Sequence, residues 1–530
     1  MAHIAPGTVS IAGLYMNLNT ATGKTPNKLV NDTNNLTNKF VTAWLFSEDT
    51  KMKKRSYFSL IAAIICLAAI SSRHPAQTTK SGPDQQLTRE IFQQLIEINT
   101  TDSVGDCTAA AKAMAERLKA AGFPDEDVKA LGPNPRKGNL VARLRGSGLR
   151  KPILLLAHID VVEAKRDDWS FDPFKFLEKD DYYYGRGTSD DKAMAAIFIA
   201  NLIRYKQEGL KPDRDIIVAL TADEEGGDYN GVEWLLKNHP QLIEAEFGLN
   251  EGGGGAMRYG KKLFNSVQAS EKVYQSFLFE VKNKGGHSSR PVRDNAIYQL
   301  AAGLQRLSQF DFPVNLNEVT RAYFERVSKL ESGETAEAMK GINQKPPDPK
   351  SVAYLANIPA YNATLRTTCV ATMLEAGHAE NALPQTAHAT VNCRILPTET
   401  AEQTRATLIK VVNDNRINIT PIKEPKPSPP SPLSAEVMKP IESITEQMWT
   451  GTPVVPVMST GATDSLYLRK AGIPIYGTSG IFSDIDDSRA HGKDERISVK
   501  AFYDGQEYLY RLVKRYTSSS AKERQTVYQR

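Results

Sequence analysis

His158 and Asp160 stand at the end of an apolar run, ILLLAHID (153–160), and two further apolar runs end in the same fashion. DIIVALTADEE (215–225) closes on Asp223, Glu224 and Glu225, and FGLNEGG (247–253) closes on Asn250 and Glu251. GRGTSDDK (185–192) adds Asp190 and Asp191, and AHGKDERI (490–497) adds His491. Imidazoles and carboxylates are costly to bury without partners. Several of them gathered at strand ends imply a metal ion, and this mixture of nitrogen and oxygen donors suits zinc. Each cluster alone has a plain structural reading: a locally satisfied histidine, a solvated acidic loop, a glycine turn. All five falling at strand ends or loops argues against coincidence.

The elements that must position these residues are legible in the apolar spacing. Leu87, Ile91, Phe92, Leu95 and Ile96 recur at helical intervals, as do Met114, Leu118 and Ala121. NLVARL (139–144) joins the apolar runs, and a long helix is predicted from Lys192 to Tyr205, ending near Gly209. Continuous apolar strands alternating with helices predict a mostly parallel sheet covered on both faces, an α/β fold. Ligands bind along the carboxyl edge of such a sheet. Phe277, Phe279 and Val281 then alternate as a half-exposed strand, and Ala296, Ile297, Leu300, Ala301 and Leu304 follow as a helix. Strands near 363–372 and 387–396, a helix over 400–413 and the strand INITPI complete a β-α-β-β-α-β order, the ferredoxin-like arrangement. A loop-like insertion is expected over 326–360, and EPKPSPPSP (424–432) reads as a stiff return linker. VVPVM, IPIYG and a helix over 499–515 resume the first pattern. The expected organisation is a catalytic domain in two segments, 86–270 and 426–515, with an α+β domain inserted at 271–425.

The chain has 530 residues and a formal charge of +5, with Lys and Arg interleaved among Asp and Glu. That distribution argues against a nucleic-acid partner. Lys53, Lys54 and Arg55 precede an apolar run from Tyr57 to Ile70, followed by small residues, the pattern of a secretory signal. The run is short for a membrane span, which takes roughly 20 residues; an uncleaved anchor is the alternative, and the only membrane contact expected. A signal over 52–76 predicts a periplasmic or secreted protein and makes residues 1–51 a mis-assigned extension ahead of Met52. Residues 516–530 read as a polar tail. Cys107, Cys369 and Cys393 follow the signal; a Cys369–Cys393 bridge is one option, with buried free thiols the expectation.

The series AHID, GRGTSDDK, DEEGG, NEGGGG, GGHSSRP and HGKDER, spread in order over 85–515, resembles the M20 family of metallopeptidases. That family contains carboxypeptidases, aminoacylases, dipeptidases and amino-acid deacylases, and WSFDPF (169–174) resembles its Gly-X carboxypeptidase branch. The resemblance implies two zinc ions, with cobalt or manganese as alternatives. Asp190 would bridge them, His158 and Glu251 completing one ion and Glu225 and His491 the other. Asp160, two residues after His158 and so expected on the same face of the strand, would accept the second ring N–H of His158. Glu224 would be the general base for a water whose pKa the ions lower. His287, on the inserted lid and dimerisation domain, would reach the oxyanion of a partner subunit in a homodimer. Arg394 and Asn381 would contact substrate, Arg394 through a bidentate pair with a carboxylate, and the GATDS turn (461–465) would add N–H donors. The implied activity is hydrolysis of a short peptide or an N-acyl amino acid, with a carboxypeptidase ahead of an aminoacylase or dipeptidase. An inactive binding protein is disfavoured, because every ligand and catalytic position is filled.

Overall fold

The structure, a computed structural model, describes residues 82–518. The expected extension, the signal segment and the tail beyond Ser518 lie outside the described residues. The folded chain runs past the expected start of the tail: the last helix spans Val499–Tyr516 and Thr517 is buried behind it.

Three strands form the heart of the main sheet: Ile216–Thr221, Ile153–His158 and Phe247–Asn250, side by side and parallel. Every residue in them is buried, which explains why they read as continuous apolar runs rather than alternating ones. Ile475–Gly477 extends the parallel set beside Phe247–Asn250. The margins are antiparallel, and this departs from the sequence reading of NLVARL. Asn139–Leu144 runs antiparallel to Ile216–Thr221 and carries Val128–Leu131 on its outer edge. On the far side, Lys261–Glu271 turns back against Ile475–Gly477 and pairs in parallel with Val454–Ser459. The helix Lys192–Gln207 is buried on nearly all sides, as a helix apolar around its whole circumference must be.

The segment after Glu271 builds a second sheet, in the order Thr368–Ala376, Thr386–Ile395, Val273–Lys282, Ile417–Pro421, all antiparallel. With the helices Ala296–Ser308 and Ala401–Val412 it realises the expected β-α-β-β-α-β order. Phe277, Phe279 and Val281 face a separate core with Leu300, Val391, Ile395 and Leu408. The insertion is not a loop. It folds as four short helices, Glu318–Val327, Gly333–Ile342, Pro349–Ala356 and Pro359–Leu365. Asn317 and Asp348 cap two of them, and Phe324, Met339, Ile342, Leu355 and Leu365 close over Val455 as a small core of their own. Helices of two or three turns repeat their apolar spacing too few times to stand out as periodic.

Cys369 and Cys393 form a disulfide, contrary to the expected free thiols, and Cys107 alone is a buried thiol among the described residues. The two cysteines are register partners on neighbouring antiparallel strands. That proximity comes from strand pairing, which their spacing of 24 residues does not reveal.

Candidate metal centre

The three parallel strands deliver their ends to one edge. His158 is the last residue of its strand and pairs in register with Thr221, the last of the neighbouring strand. Asp223, Glu224 and Glu225 follow Thr221, and Glu251 follows Asn250 at the end of the third strand. Asp190 comes from the loop that leads into the Lys192–Gln207 helix.

Two ligand groups result, and they share Asp190: His158, Asp190 and Glu251 in one, Asp190, Glu225 and His491 in the other. The donor atoms within each group lie within 4.8 Å of one another. Asp190 presents one oxygen to each histidine. Its Oδ1 lies 2.9 Å from Nε2 of His158, and its Oδ2 lies 3.1 Å from Nε2 of His491. Glu225 Oε1 is 2.7 Å from the same His491 nitrogen, and Glu251 Oε1 is 4.0 Å from His158 Nε2. The groups differ in access, His158 being 1% exposed at its side chain and His491 54%. All five residues predicted as ligands are thus brought together. A set of imidazole and carboxylate donors at this spacing fits two zinc-like ions sharing one carboxylate.

Asp160 takes a different part from the one expected. The strand stops at His158, so Asp160 does not lie on a continuing strand face. Nδ1 of His158 meets the main-chain carbonyl of Asp160 at 3.0 Å, its carboxylate Oδ1 standing farther off at 3.6 Å. The carbonyl therefore fixes the ring. The carboxylate accepts the backbone N–H groups of Glu224 and Glu225, at 3.2 and 2.9 Å, and so holds the acidic loop in place. Asp223 completes that loop, at φ +59°. It is buried and bound to Lys137 Nζ at 2.5 Å and to the Tyr229 N–H at 3.1 Å. Gly227 closes over it where a Cβ would stand 2.3 Å from the Asp223 carboxylate.

Glu224 belongs to neither group, but its carboxyl feels His158 and Glu251 of one and Glu225 of the other. Burial pushes its carboxyl up to about 10, Glu251, Asp464 and Glu225 adding to the effect and His158 opposing it. Asp190 is the opposite case. Burial works against its charge, but the hydrogen bonds from His158 and His491 hold its carboxyl below the usual range.

Two residues that sequence reasoning missed organise the site. Glu495, fully buried, accepts from Arg186 Nη1 at 2.6 Å, from the N–H groups of Gly187, Ser189 and Asp190, and from the Ser189 hydroxyl. Asp464, in the GATDS turn, is buried with its oxygens on Asn230 Nδ2 (2.5 Å) and Thr221 Oγ1 (3.1 Å). Burial raises Asp464 to about 7. The N–H donors expected of this turn are largely spent internally: Thr463 N on Glu271, Gly461 N on Ser459 and Ser465 N on Thr463. The WSFDPF stretch braces the same region. Trp169 lies under Arg186, 5.0 Å from ring centroid to guanidinium, and Ser170 is bonded twice to Asp494.

Arg394 reaches the carbonyl of Thr460, just before the GATDS turn, at 3.4 Å, and its guanidinium faces the Tyr274 ring. His287 and Asn381 come together elsewhere. Gly286–His287 pairs with Ala382–Leu383 in a short ribbon, and the Ser288 N–H donates to the Asn381 carbonyl at 3.0 Å. Within the described residues, no hydrogen bond joins either of them to the two ligand groups.

Comparison with known proteins bears on the family and the fold. The N-fatty-acyl-amino acid synthase/hydrolase PM20D1 of Xenopus tropicalis is 32% identical over 357 residues, covering 66% of this chain and 69% of its own. The probable carboxypeptidase S-like 2 of Dictyostelium discoideum is 30% identical over 373 residues, covering 69% of this chain and 71% of its own. Among solved structures, the M20 family metallo-carboxypeptidase Sso-CP2 from Sulfolobus solfataricus shares the fold. It matches 81% of this chain and 99% of its own, with a TM-score of 0.61 and 19% identity. The model of peptidase family M20/M25/M40 matches residues 154–515, and with the motifs, the fold and these relatives in accord, the chain belongs to that family of metallo-hydrolases.

Proposed function

We propose that the chain is a two-metal hydrolase that releases an amino acid with a free carboxylate from a short peptide, as a carboxypeptidase. The observation that carries this reading is the sharing of Asp190 between the two ligand groups. Two ions bound there would supply Lewis acidity and an acidified water. Glu224, half-buried and within electrostatic reach of His158, Glu251 and Glu225, receives the water's proton and returns it to the leaving amine. Asp160 keeps Glu224 and Glu225 in position through their backbone N–H groups. Arg394 holds the substrate carboxylate at the edge of the Ser459–Ser465 segment.

A second reading is hydrolysis of N-acyl amino acids, and the likeness to PM20D1 favours it. The two substrate classes share the scissile amide and the carboxylate and differ only in the acyl part. The distinguishing experiment offers the metal-supplemented protein peptides with free and with amidated C-termini, alongside N-acetyl and long-chain N-acyl amino acids. Faster cleavage of free-carboxylate peptides supports the carboxypeptidase, and a preference for acyl amino acids supports the second reading. Equal cleavage of amidated peptides contradicts both.

The protein is further proposed to act as a homodimer. Thr368–Ala376 is an edge strand of its sheet and exposes Met373 (69%) and Leu374 (68%), with Ile297 and Tyr298 exposed on the adjoining helix. An apolar open edge is a template for pairing with a second copy. A partner placed there would offer His287 a site other than that of its own chain, to whose ligand groups it makes no hydrogen bond among the described residues. Export on the segment beginning near Met52 is likewise proposed, and the Cys369–Cys393 disulfide suits an oxidising compartment.

A further inference from the structure

The ring of His287 is held at Nδ1 by two groups of one residue. The backbone N–H of Ser289 points at Nδ1 from 3.2 Å, and the Ser289 hydroxyl lies 2.8 Å from the same atom. A backbone amide can only donate, so Nδ1 must offer its lone pair. The surrounding turn leaves the ring little choice of position. His287 O accepts from the Arg290 N–H at 3.0 Å, and Ser288 N–H is tied to Asn381. Gly285 passes so close to the opposing segment that a Cβ would stand 2.9 Å from the Leu383 carbonyl, with φ +68°.

We infer that Ser289 is a positioning residue that fixes neutral His287 in the Nε2–H tautomer, so that the ring presents a hydrogen-bond donor on its free side. The opposite tautomer would set the Nδ1–H against the Ser289 N–H, two donors facing each other. The free side is exposed, open to an acceptor from outside the hairpin. The acceptor it suits is an oxygen that gains negative charge, such as the oxyanion of an amide under attack. The catalytic consequence rests on the role proposed above for His287; the tautomer itself does not.

The test is nitrogen-15 NMR on the full chain labelled at histidine, with the His287 signals identified by their loss in His287→Gln. Long-range nitrogen–proton correlations show which ring nitrogen carries the proton. The inference expects Nε2–H in the neutral ring, and a predominant Nδ1–H overturns it. Ser289→Ala removes a hydroxyl that can donate or accept and keeps the amide that can only donate, so the Nε2–H tautomer should persist while the ring loses one hold at Nδ1. kcat should fall by roughly fivefold, the worth of one ordinary hydrogen bond, at unchanged KM, and Ser289→Thr should restore it. An unchanged kcat in Ser289→Ala overturns the part assigned to the hydroxyl. An Nε2–H ring together with full activity in His287→Gln upholds the tautomer and removes the catalytic role.

Discussion

Glu495 and Arg186 form a buried ion pair, Oε2 to Nη1 at 2.6 Å, that ties the loop carrying Asp190 to the loop carrying His491. The carboxylate also collects three backbone N–H groups of the Gly187–Asp190 turn, and Arg186 Nη2 donates to the carbonyls of His491 and Gly492. Two of the three segments that supply the more exposed ligand group, those carrying Asp190 and His491, thus hang on one salt bridge. Glu495→Ala leaves Arg186 buried without its counter-ion, a loss of about 3–5 kcal/mol. Urea unfolding of the metal-free variant should show that loss, and the same variant should bind fewer ions. A midpoint equal to the parent's contradicts the clamp.

Removal of metal should expose the proton economy of the site. Burial raises Glu225 and lifts Glu251 well above the ordinary 4.5. The hydrogen bond to Asp190 and the neighbouring Glu225 raise His491 from 6.5 to about 9. These groups hold more protons folded than unfolded, so the stability they give is complete at low pH and is lost as pH rises through their folded values. The metal-free chain should therefore lose stability from about pH 5 to about pH 9. Bound ions take the place of those protons and should remove the trend. Thermal or urea midpoints measured across that range, with and without chelator, check this; a chelated protein that gains stability toward pH 9 would show the sign to be wrong.

The Cys369–Cys393 disulfide joins neighbouring strands of the inserted sheet. For the loop it closes, the paired substitution Cys369→Ser with Cys393→Ser should cost about 3 kcal/mol. Reductant should lower the parent's unfolding midpoint and leave the double variant unmoved. Equal midpoints for the oxidised parent and the variant would deny the bridge a stabilising part.

If His287 acts across a dimer, inactive chains should complement one another. His287→Gln alone should lower kcat by roughly 10²–10³. Mixed and re-associated with Glu224→Gln chains, it should recover about a quarter of parental activity, since half the dimers are hybrids with one complete site of two. Complementation that never rises above the sum of the separate variants contradicts action in trans.

The sequence showed this site well because its donors sit where apolar strands stop. His158 ends a buried parallel strand, and Glu225 and Glu251 come just after two others, so hydrophobic pattern and chemistry reinforce each other. Asp190 and His491 were visible through motif order. Residues that act by holding the backbone were not visible in that way. Glu495 carries no local signal of its role, because its importance lies in the N–H groups of a loop some 300 residues earlier. Asp464 is hidden in the same way, in a turn whose amides suggest a ligand while its carboxylate is the buried part. The Asp160 carboxylate stands farther from His158 than the Asp160 carbonyl because the strand ends at His158. The disulfide and the four-helix insertion depended on strand register and tertiary packing, which local periodicity does not encode.

The proposed mechanism has two ions, held by five side chains around a shared Asp190, activating hydrolysis with Glu224 as base. The chelated protein can be titrated with zinc or cobalt while bound ions are counted and hydrolysis is followed, in parallel with Glu224→Gln. Two ions per chain are expected in both proteins, with activity that returns with loading in the parent and a loss of roughly 10²–10⁴ in kcat in the variant. Full activity in excess chelator, or a Glu224→Gln chain as fast as the parent, would contradict that mechanism.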